Sequence, residues 1–223
     1  MAYLSLYFDV SDKNVFILGT GEVACRRANS FLDNNANVVL AGDSLNSEIL
    51  DKGARLVKIH TNIDDDEDYD RYFLENKNIV LSEVNKADFV IIATGDYALA
   101  DYTSSISQNK LLNRADNPSS GNVIVPTSFF IGDIEFSIYT GGKSPLMAKT
   151  LRKKIQSIVS DEDIMEIELQ DFARRLLKSK VSDSKKRRKI LYEILDNPKI
   201  RDLLKNKELD KAKIEVESFI DGL

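Results

Sequence analysis

The sequence predicts an α/β fold: a parallel sheet with helices, then a short β-rich segment, then an all-helical tail. Three observations carry this. A β-branched, apolar run at residues 14–18 ends in Gly19-Thr20-Gly21-Glu22-Val23-Ala24 and passes at once into a helix-like stretch. Further apolar runs at 38–41, 55–59, 88–94 and 111–115 alternate with helical stretches, the order expected of a parallel sheet. After residue 122 the pattern changes to two strands joined by Gly132-Asp133, and from Pro145 onward it is helical throughout.

Taken in order, residues 3–10 read as an extended lead-in whose apolar side chains pack against the sheet. The first strand and its turn form the opening of a dinucleotide-binding unit of Rossmann type. Gly19 suits a sharp turn off the strand. Gly21 lets the backbone approach a pyrophosphate, and Ala24 lets the helix lie close to the strand. The helix, predicted over 21–34, offers unpaired N–H groups and the positive end of its dipole to phosphates. The second strand ends at Gly42-Asp43-Ser44. Asp43, 22 residues after Gly21, is open between a ribose contact and the cap of a helix over 44–52. No arginine follows it directly, which leans toward NAD over NADP.

A third strand at 55–59 ends at His60, the only histidine, with no cysteine or histidine partner at metal spacing. The acidic run Asp64 to Asp68 lacks the glycine and glutamate of a calcium loop, and reads as a solvated loop or helix start. Residues 69–86 are predicted as a helix plus an irregular connection. The strand at 88–94 is the clearest buried one, and Ala93-Thr94-Gly95 at its tip should border the same crevice as Gly19. A helix over 96–109 and a strand over 111–115 lead to Asp116-Asn117-Pro118. Two strands, 122–131 and 134–139, form a hairpin, marginal alone and in need of a partner. Helices follow over 146–159, 161–180, 183–195 and 198–221. Ser160 before three acids is a strong helix start.

The 223 residues, 43% hydrophobic, suffice for a core, and no apolar run is long enough to span a bilayer. One cysteine, Cys25, excludes an internal disulfide. No signal-peptide pattern opens the chain, so a cytoplasmic location is expected. The net charge of −5 divides unevenly: residues 1–142 carry −10, 143–189 carry +7 and 190–223 carry −2. A basic segment on an acidic chain suits a polyanionic partner, nucleic acid or a carboxylate-rich substrate, or it is a set of solvated helix faces.

Gly19 to Ala28, Ala93-Thr94-Gly95-Asp96, Asn113 to Pro118, Val125-Pro126-Thr127-Ser128 and Thr140-Gly141-Gly142-Lys143-Ser144-Pro145 occur in one order along nearly the whole chain. The basic helix at 186–191 follows them. In these pieces the sequence resembles the precorrin-2 dehydrogenase/sirohydrochlorin ferrochelatase family, which includes the N-terminal module of siroheme synthase. The resemblance implies NAD⁺-dependent oxidation of precorrin-2 to sirohydrochlorin, with insertion of Fe²⁺ or Co²⁺ as a possible second activity. It implies an NAD-binding domain at 1–113, a dimerisation region at 114–145, a helical domain at 146–223, and a homodimer that binds neither nucleic acid nor membrane.

The family's essential aspartate falls on Asp116, and its NAD contacts on Glu22, Val23, Asp43 and Ser44, beside Gly19, Gly21, Ala93 and Thr94. Read from its own sequence context, Asp116 is open between a proton acceptor and the cap of the turn before Pro118. Precorrin-2 is an octacarboxylate, which suits the basic segment. Thr140, Gly141, Lys143, Lys149 and Arg152 are the expected substrate contacts, with Arg174 and Arg175 further arginine candidates and no resident metal site. Thr140 stands where some bacterial members carry a phosphorylatable serine. Three alternatives remain: a dehydrogenase working beside a separate chelatase, a non-catalytic NAD(H)-sensing module, and a nucleic-acid binder using residues 185–189.

Overall fold

The computed structural model describes residues 3–60 and 66–222, with no side-chain description for 66–70. The acidic run 64–68 therefore lies outside the described residues or their side chains. The chain divides into two compact units, residues 1–125 and 126–223.

In the first unit, five parallel strands, β1 (Asn14–Leu18), β2 (Asn37–Gly42), β3 (Arg55–Lys58), β4 (Phe89–Ile92) and β5 (Leu111–Arg114), lie in the order β3-β2-β1-β4-β5. The register pairs Leu18 with Ala41 on one side and with Ile92 on the other. Successive side chains of a strand face opposite ways, and the core divides accordingly. Val15 and Ile17 join Ala24 and Ala28 of α1 (Glu22–Leu32) and Ile49 of α2 (Ser47–Asp51) on one face. Phe16 and Leu18 join Val80 and Val84 of α3 (Asp66–Lys86) and Leu99 of α4 (Tyr97–Ile106) on the other. With both faces of the sheet covered, the lead-in does not pack as expected. Leu4, Leu6 and Tyr7 are 80%, 62% and 76% exposed, while Val10 is half-buried and Phe8 meets Phe89 edge-on at 6.4 Å.

Three further expectations in this unit change. The helix placed at 44–52 starts at Ser47, because Asn46 accepts the Glu48 N–H at 2.9 Å and caps it; Asp43 is not its cap. Residues 66–86 form one helix without an irregular connection. The strand expected from 122 starts only at Thr127. Asn122 is instead pinned along β5, where its side chain accepts from Leu112 N–H at 2.7 Å and donates to the Lys110 carbonyl at 2.8 Å. That contact covers the otherwise open edge of the sheet.

In the second unit, β6 (Thr127–Ile131) and β7 (Ile134–Ile138) pair antiparallel, and α5 (Pro145–Ile158) follows. α6 (Asp161–Lys180) is the hub of the helical part, packed by α7 (Ser184–Leu195), α8 (Pro198–Lys205) and α9 (Leu209–Asp221) around Leu169, Ala173, Leu177, Ile194 and Val216. A full capping box holds its start: Asp163 N–H donates to Ser160 Oγ, and Asp163 Oδ2 accepts the Ser160 N–H at 2.7 Å. The single helix expected over 198–221 is two, because Lys207 turns into the left-handed region at φ 58°. No helix among the described residues is long and apolar enough to cross a membrane.

Candidate active site

Parallel strands send all their C-terminal ends to one edge, and in such sheets the ligand crevice lies outside that edge. Here the edge gathers the β1–α1 turn, the tips of β2 and β4, and the loop after β5. Gly19 leaves β1 at φ +117°, and a Cβ there would stand 2.2 Å from the Ala93 carbonyl oxygen. The turn of β1 and the tip of β4 therefore close on each other only because residue 19 has no side chain. The Gly19 N–H also donates to the Ala41 carbonyl at 2.8 Å. At Gly21 a Cβ would meet nothing within 4 Å, so the space outside this turn is open.

Gly21 is the N-cap of α1 and supplies no side-chain cap, leaving the first-turn amides of Glu22 and Val23 unclaimed by a side chain. The Glu22 carboxylate is almost fully exposed and 3.9 Å from Arg26. Ala24 and Ala28 are fully buried, as close packing of α1 on the sheet requires. An open-faced turn, an uncapped helix start and small residues beneath them fit a dinucleotide pyrophosphate. Asp43 and Ser44 are exposed just beyond β2, and Thr94 at the β4 tip accepts the Asp96 N–H at 3.1 Å. Gly42 is a requirement that the sequence reading missed: a Cβ there would lie 2.4 Å from the Thr20 side chain. The bulkier Thr20 of this turn rests where residue 42 has nothing.

Asp116 lies past β5 on the same edge. Arg114 donates to it through two nitrogens, Nε to Oδ1 at 3.1 Å and Nη2 to Oδ2 at 2.5 Å, and through Nη1 to Asp101 Oδ1 at 2.6 Å. The Arg114 side chain is only 5% exposed and that of Asp116 17%. The Arg114 guanidinium holds the Asp116 carboxyl below the usual carboxylate range, against the opposing effect of burial. In return the two carboxylates push Arg114 up, so it stays charged. Arg114 and Asp101 were not singled out from sequence. The signal was present: residues two apart at a strand end share a face. Beside them, buried Asn113 donates to the Val123 carbonyl at 2.9 Å, while its Oδ1 has no partner among the described residues.

His60 is exposed just past β3, its ring tilted against Tyr72 at 4.3 Å and 3.3 Å from Glu75. Cys25 is half-buried, donates weakly to the Thr20 carbonyl, and burial pushes its thiol up, away from the reactive thiolate. Among the described residues no group of three or more His, Cys, Asp and Glu is placed to hold a metal.

The expected substrate contacts lie in the second unit. Thr140 closes the loop before α5 by accepting the Ser144 N–H at 3.4 Å and donating to the Ser144 carbonyl at 3.2 Å. Its hydroxyl is therefore engaged in shaping the turn. Gly141 and Gly142 follow at φ 68° and 74°. Lys143 and Lys149 are exposed, and Arg152 lies over the Phe129 ring at 5.2 Å.

Comparison with known proteins agrees with this geometry. Residues 6–127 match a family model described as "Putative NAD(P)-binding". A protein of Methanocaldococcus jannaschii named "Putative precorrin-2 dehydrogenase" is 31% identical over 208 residues, covering 91% of this chain and 94% of its own length. The precorrin-2 dehydrogenase of Priestia megaterium is 26% identical, over 92% and 95%. A siroheme synthase of Mannheimia succiniciproducens is 26% identical over 97% of this chain, which spans only 43% of that longer protein. The solved structure of SirC, a precorrin-2 dehydrogenase, shares the fold at a TM-score of 0.74 and 21% identity, over 97% of this chain and 100% of its own. The glycine turn with its open face thus sits in an NAD(P)-binding domain, and the end-to-end match carries the likeness through the helical unit: the chain belongs to the precorrin-2 dehydrogenase family.

Proposed function

We propose that the protein oxidises precorrin-2 to sirohydrochlorin, passing a hydride to NAD⁺ and a proton to solvent. The observation that carries this is one sheet edge bearing both the open glycine turn of β1–α1 and the arginine-held carboxylate of Asp116. Bound there, NAD⁺ would supply the hydride acceptor. Gly19, Gly21, Glu22 and Val23 hold its pyrophosphate through backbone; Asp43 and Ser44 face the adenosine ribose, and Ala93 and Thr94 border the other half. Asp116 touches the substrate. Its lowered pKa keeps it ionised at neutral pH, so it accepts hydrogen bonds from substrate N–H groups and hands a released proton on to water. Lys143, Lys149 and Arg152 hold substrate carboxylates, and Gly141 adds its backbone N–H in the loop that Thr140 shapes through Ser144.

Residues 1–113 are the NAD-binding part, 114–145 the dimerisation region and 146–223 the helical part, in a cytoplasmic homodimer. What supports the dimer is the two-stranded β6–β7 ribbon, marginal alone, with Phe130 64% and Leu146 73% exposed. Insertion of Fe²⁺ or Co²⁺, as substrate, would use the same Asp116 carboxylate; the likeness to siroheme synthases supports it, and a dehydrogenase beside a separate chelatase is the alternative.

The test is anaerobic incubation with precorrin-2 and NAD⁺, followed by addition of Fe²⁺ or Co²⁺. NADH and sirohydrochlorin should appear together, and Asp116→Ala should abolish both while still binding NAD⁺. A metal-dependent spectral change above the rate without enzyme would add the chelatase. Tight NAD⁺ binding with no NADH formed would instead leave an NAD(H)-sensing module.

A further inference from the structure

Between α6 and α7 lies a cavity of about 480 Å³, within the size range of small-ligand sites. Four cations line it, Arg174, Lys178, Arg187 and Arg188, with Leu177 and Leu191 as its apolar wall and no carboxylate among its lining residues. Arg174 and Lys178, one helical turn apart, share a face of α6. Arg187 also donates to the carbonyls of Val181 and Ser182 at 2.7 and 2.8 Å, which fixes α7 against the end of α6.

Several cations elsewhere in the helical part have an acidic partner: Arg175 with Asp171, Lys189 with Glu193, Lys199 with Glu215, Lys207 with Asp161 and Lys213 with Glu168. The three acids nearest in sequence to the lining residues are committed, Asp171 to Arg175, Asp183 to the Lys185 and Lys186 N–H groups of α7, and Glu193 to Lys189. The side chains of Arg174 and Lys178 have no hydrogen bond or ion pair among the described residues, and that of Arg188 has only the Tyr192 ring at 5.9 Å. Crowding like charges around one hollow opposes folding unless an anion enters it.

We propose that this cavity seats the acidic side chains of one pyrrole ring of a carboxylate-rich tetrapyrrole, an inference that rests on the substrate class proposed above. The fit is chemical. A pyrrole of this class carries an acetate and a propionate on adjacent carbons of an apolar ring. Two carboxylates on an apolar edge match guanidinium and ammonium donors set beside Leu177 and Leu191. The volume suits one ring edge with its acid arms, not a whole macrocycle.

The experiment titrates the full chain with uroporphyrin, a stable octacarboxylate tetrapyrrole, by fluorescence, with inorganic pyrophosphate and citrate as competing anions. Arg174→Gln/Lys178→Gln removes two cavity charges that support no other contact. Lys185→Gln/Lys186→Gln removes the same charge from side chains that do not line the cavity. Uroporphyrin should bind roughly tenfold or more weakly to the cavity variant, and within about twofold of wild type to the control. An unchanged helical circular-dichroism signal and an unchanged unfolding midpoint in both variants show that the helical unit is folded in each.

Equal weakening in both variants, or none in the cavity variant, overturns the proposal. So does pyrophosphate binding at Arg174 and Lys178 with no uroporphyrin bound, which would make the site one for small free anions. NADH formation from precorrin-2 by the wild type is followed in parallel. Its failure with cavity-dependent uroporphyrin binding intact refutes the dehydrogenase but keeps the site; its success without that dependence refutes the site alone.

Discussion

Gly19 and Gly21 stand two residues apart and answer to different physics. At Gly19 both the backbone angle and the Ala93 carbonyl exclude a side chain. Gly19→Ala should therefore destabilise the fold by about 2–4 kcal/mol, read from the midpoint of denaturant unfolding. At Gly21 a methyl group meets no protein atom, so Gly21→Ala should unfold like wild type and lose NAD⁺ affinity, and Gly21→Asp should lose it altogether by charge. Normal NAD⁺ binding by Gly21→Asp would displace the cofactor from this turn. Asp116 is the other residue whose environment decides its chemistry. Because Arg114 lowers its pKa on folding, it adds stability at neutral pH that disappears as pH falls from about 4 through the lowered value. Asp116→Asn should flatten that acid limb of the stability curve. Arg114→Gln should let the carboxyl rise, moving the acid limb of kcat/KM upward in pH; an unshifted limb would detach the pair from turnover.

At the scale of elements, caps decide where helices begin and end. Asn46, not Asp43, starts α2, and that leaves Asp43 free at the tip of β2. Ser160 and Asp163 cap α6 reciprocally; Ser160→Ala should cost about 1 kcal/mol, measured by thermal or denaturant unfolding. The break between α8 and α9 turns on Lys207, a non-glycine residue in the left-handed region, where strain of about 1–2 kcal/mol is expected. Its exposed pair with Asp161 offsets little of that. Lys207→Gly should therefore leave stability unchanged or raise it, and a clear loss would show that the ion pair matters more than the backbone.

At the scale of the molecule, the division at residue 125 separates the glycine turn and Asp116 from the Thr140 loop and the basic helices. A ligand that binds only the folded state stabilises what it touches, by about 2.7 kcal/mol at a hundredfold excess over its Kd. Saturating NAD⁺ should therefore slow amide exchange in β1, the start of α1 and the tip of β4, and leave the core of α6–α9 unchanged. Protection confined to the helical unit would place the cofactor elsewhere.

The sequence by itself determined the parallel α/β unit, the β-hairpin and the helical tail, and it set the glycine turn at the end of the first strand and Asp116 just past the fifth. Those features rest on local chemistry: β-branched runs broken by glycines, a Gly-Asp turn between strands, and Ser160 ahead of three acids. What only the tertiary structure decided depends on neighbours far along the chain. Residues 122–123 read as strand by composition, yet Asn122 spends its side chain on β5, 10–12 residues back. The lead-in reads as core, yet helices already cover both faces of the sheet. Gly42 is required only because Thr20 lies against it. The chemistry of Asp116 follows from a buried arginine that also reaches Asp101, 13 residues before it. The cavity between α6 and α7 collects Arg174 and Lys178 from one helix and Arg187 and Arg188 from the next. Side-chain type and spacing set the elements, because those are local; which charges end up facing one another is set by packing, and packing is not local.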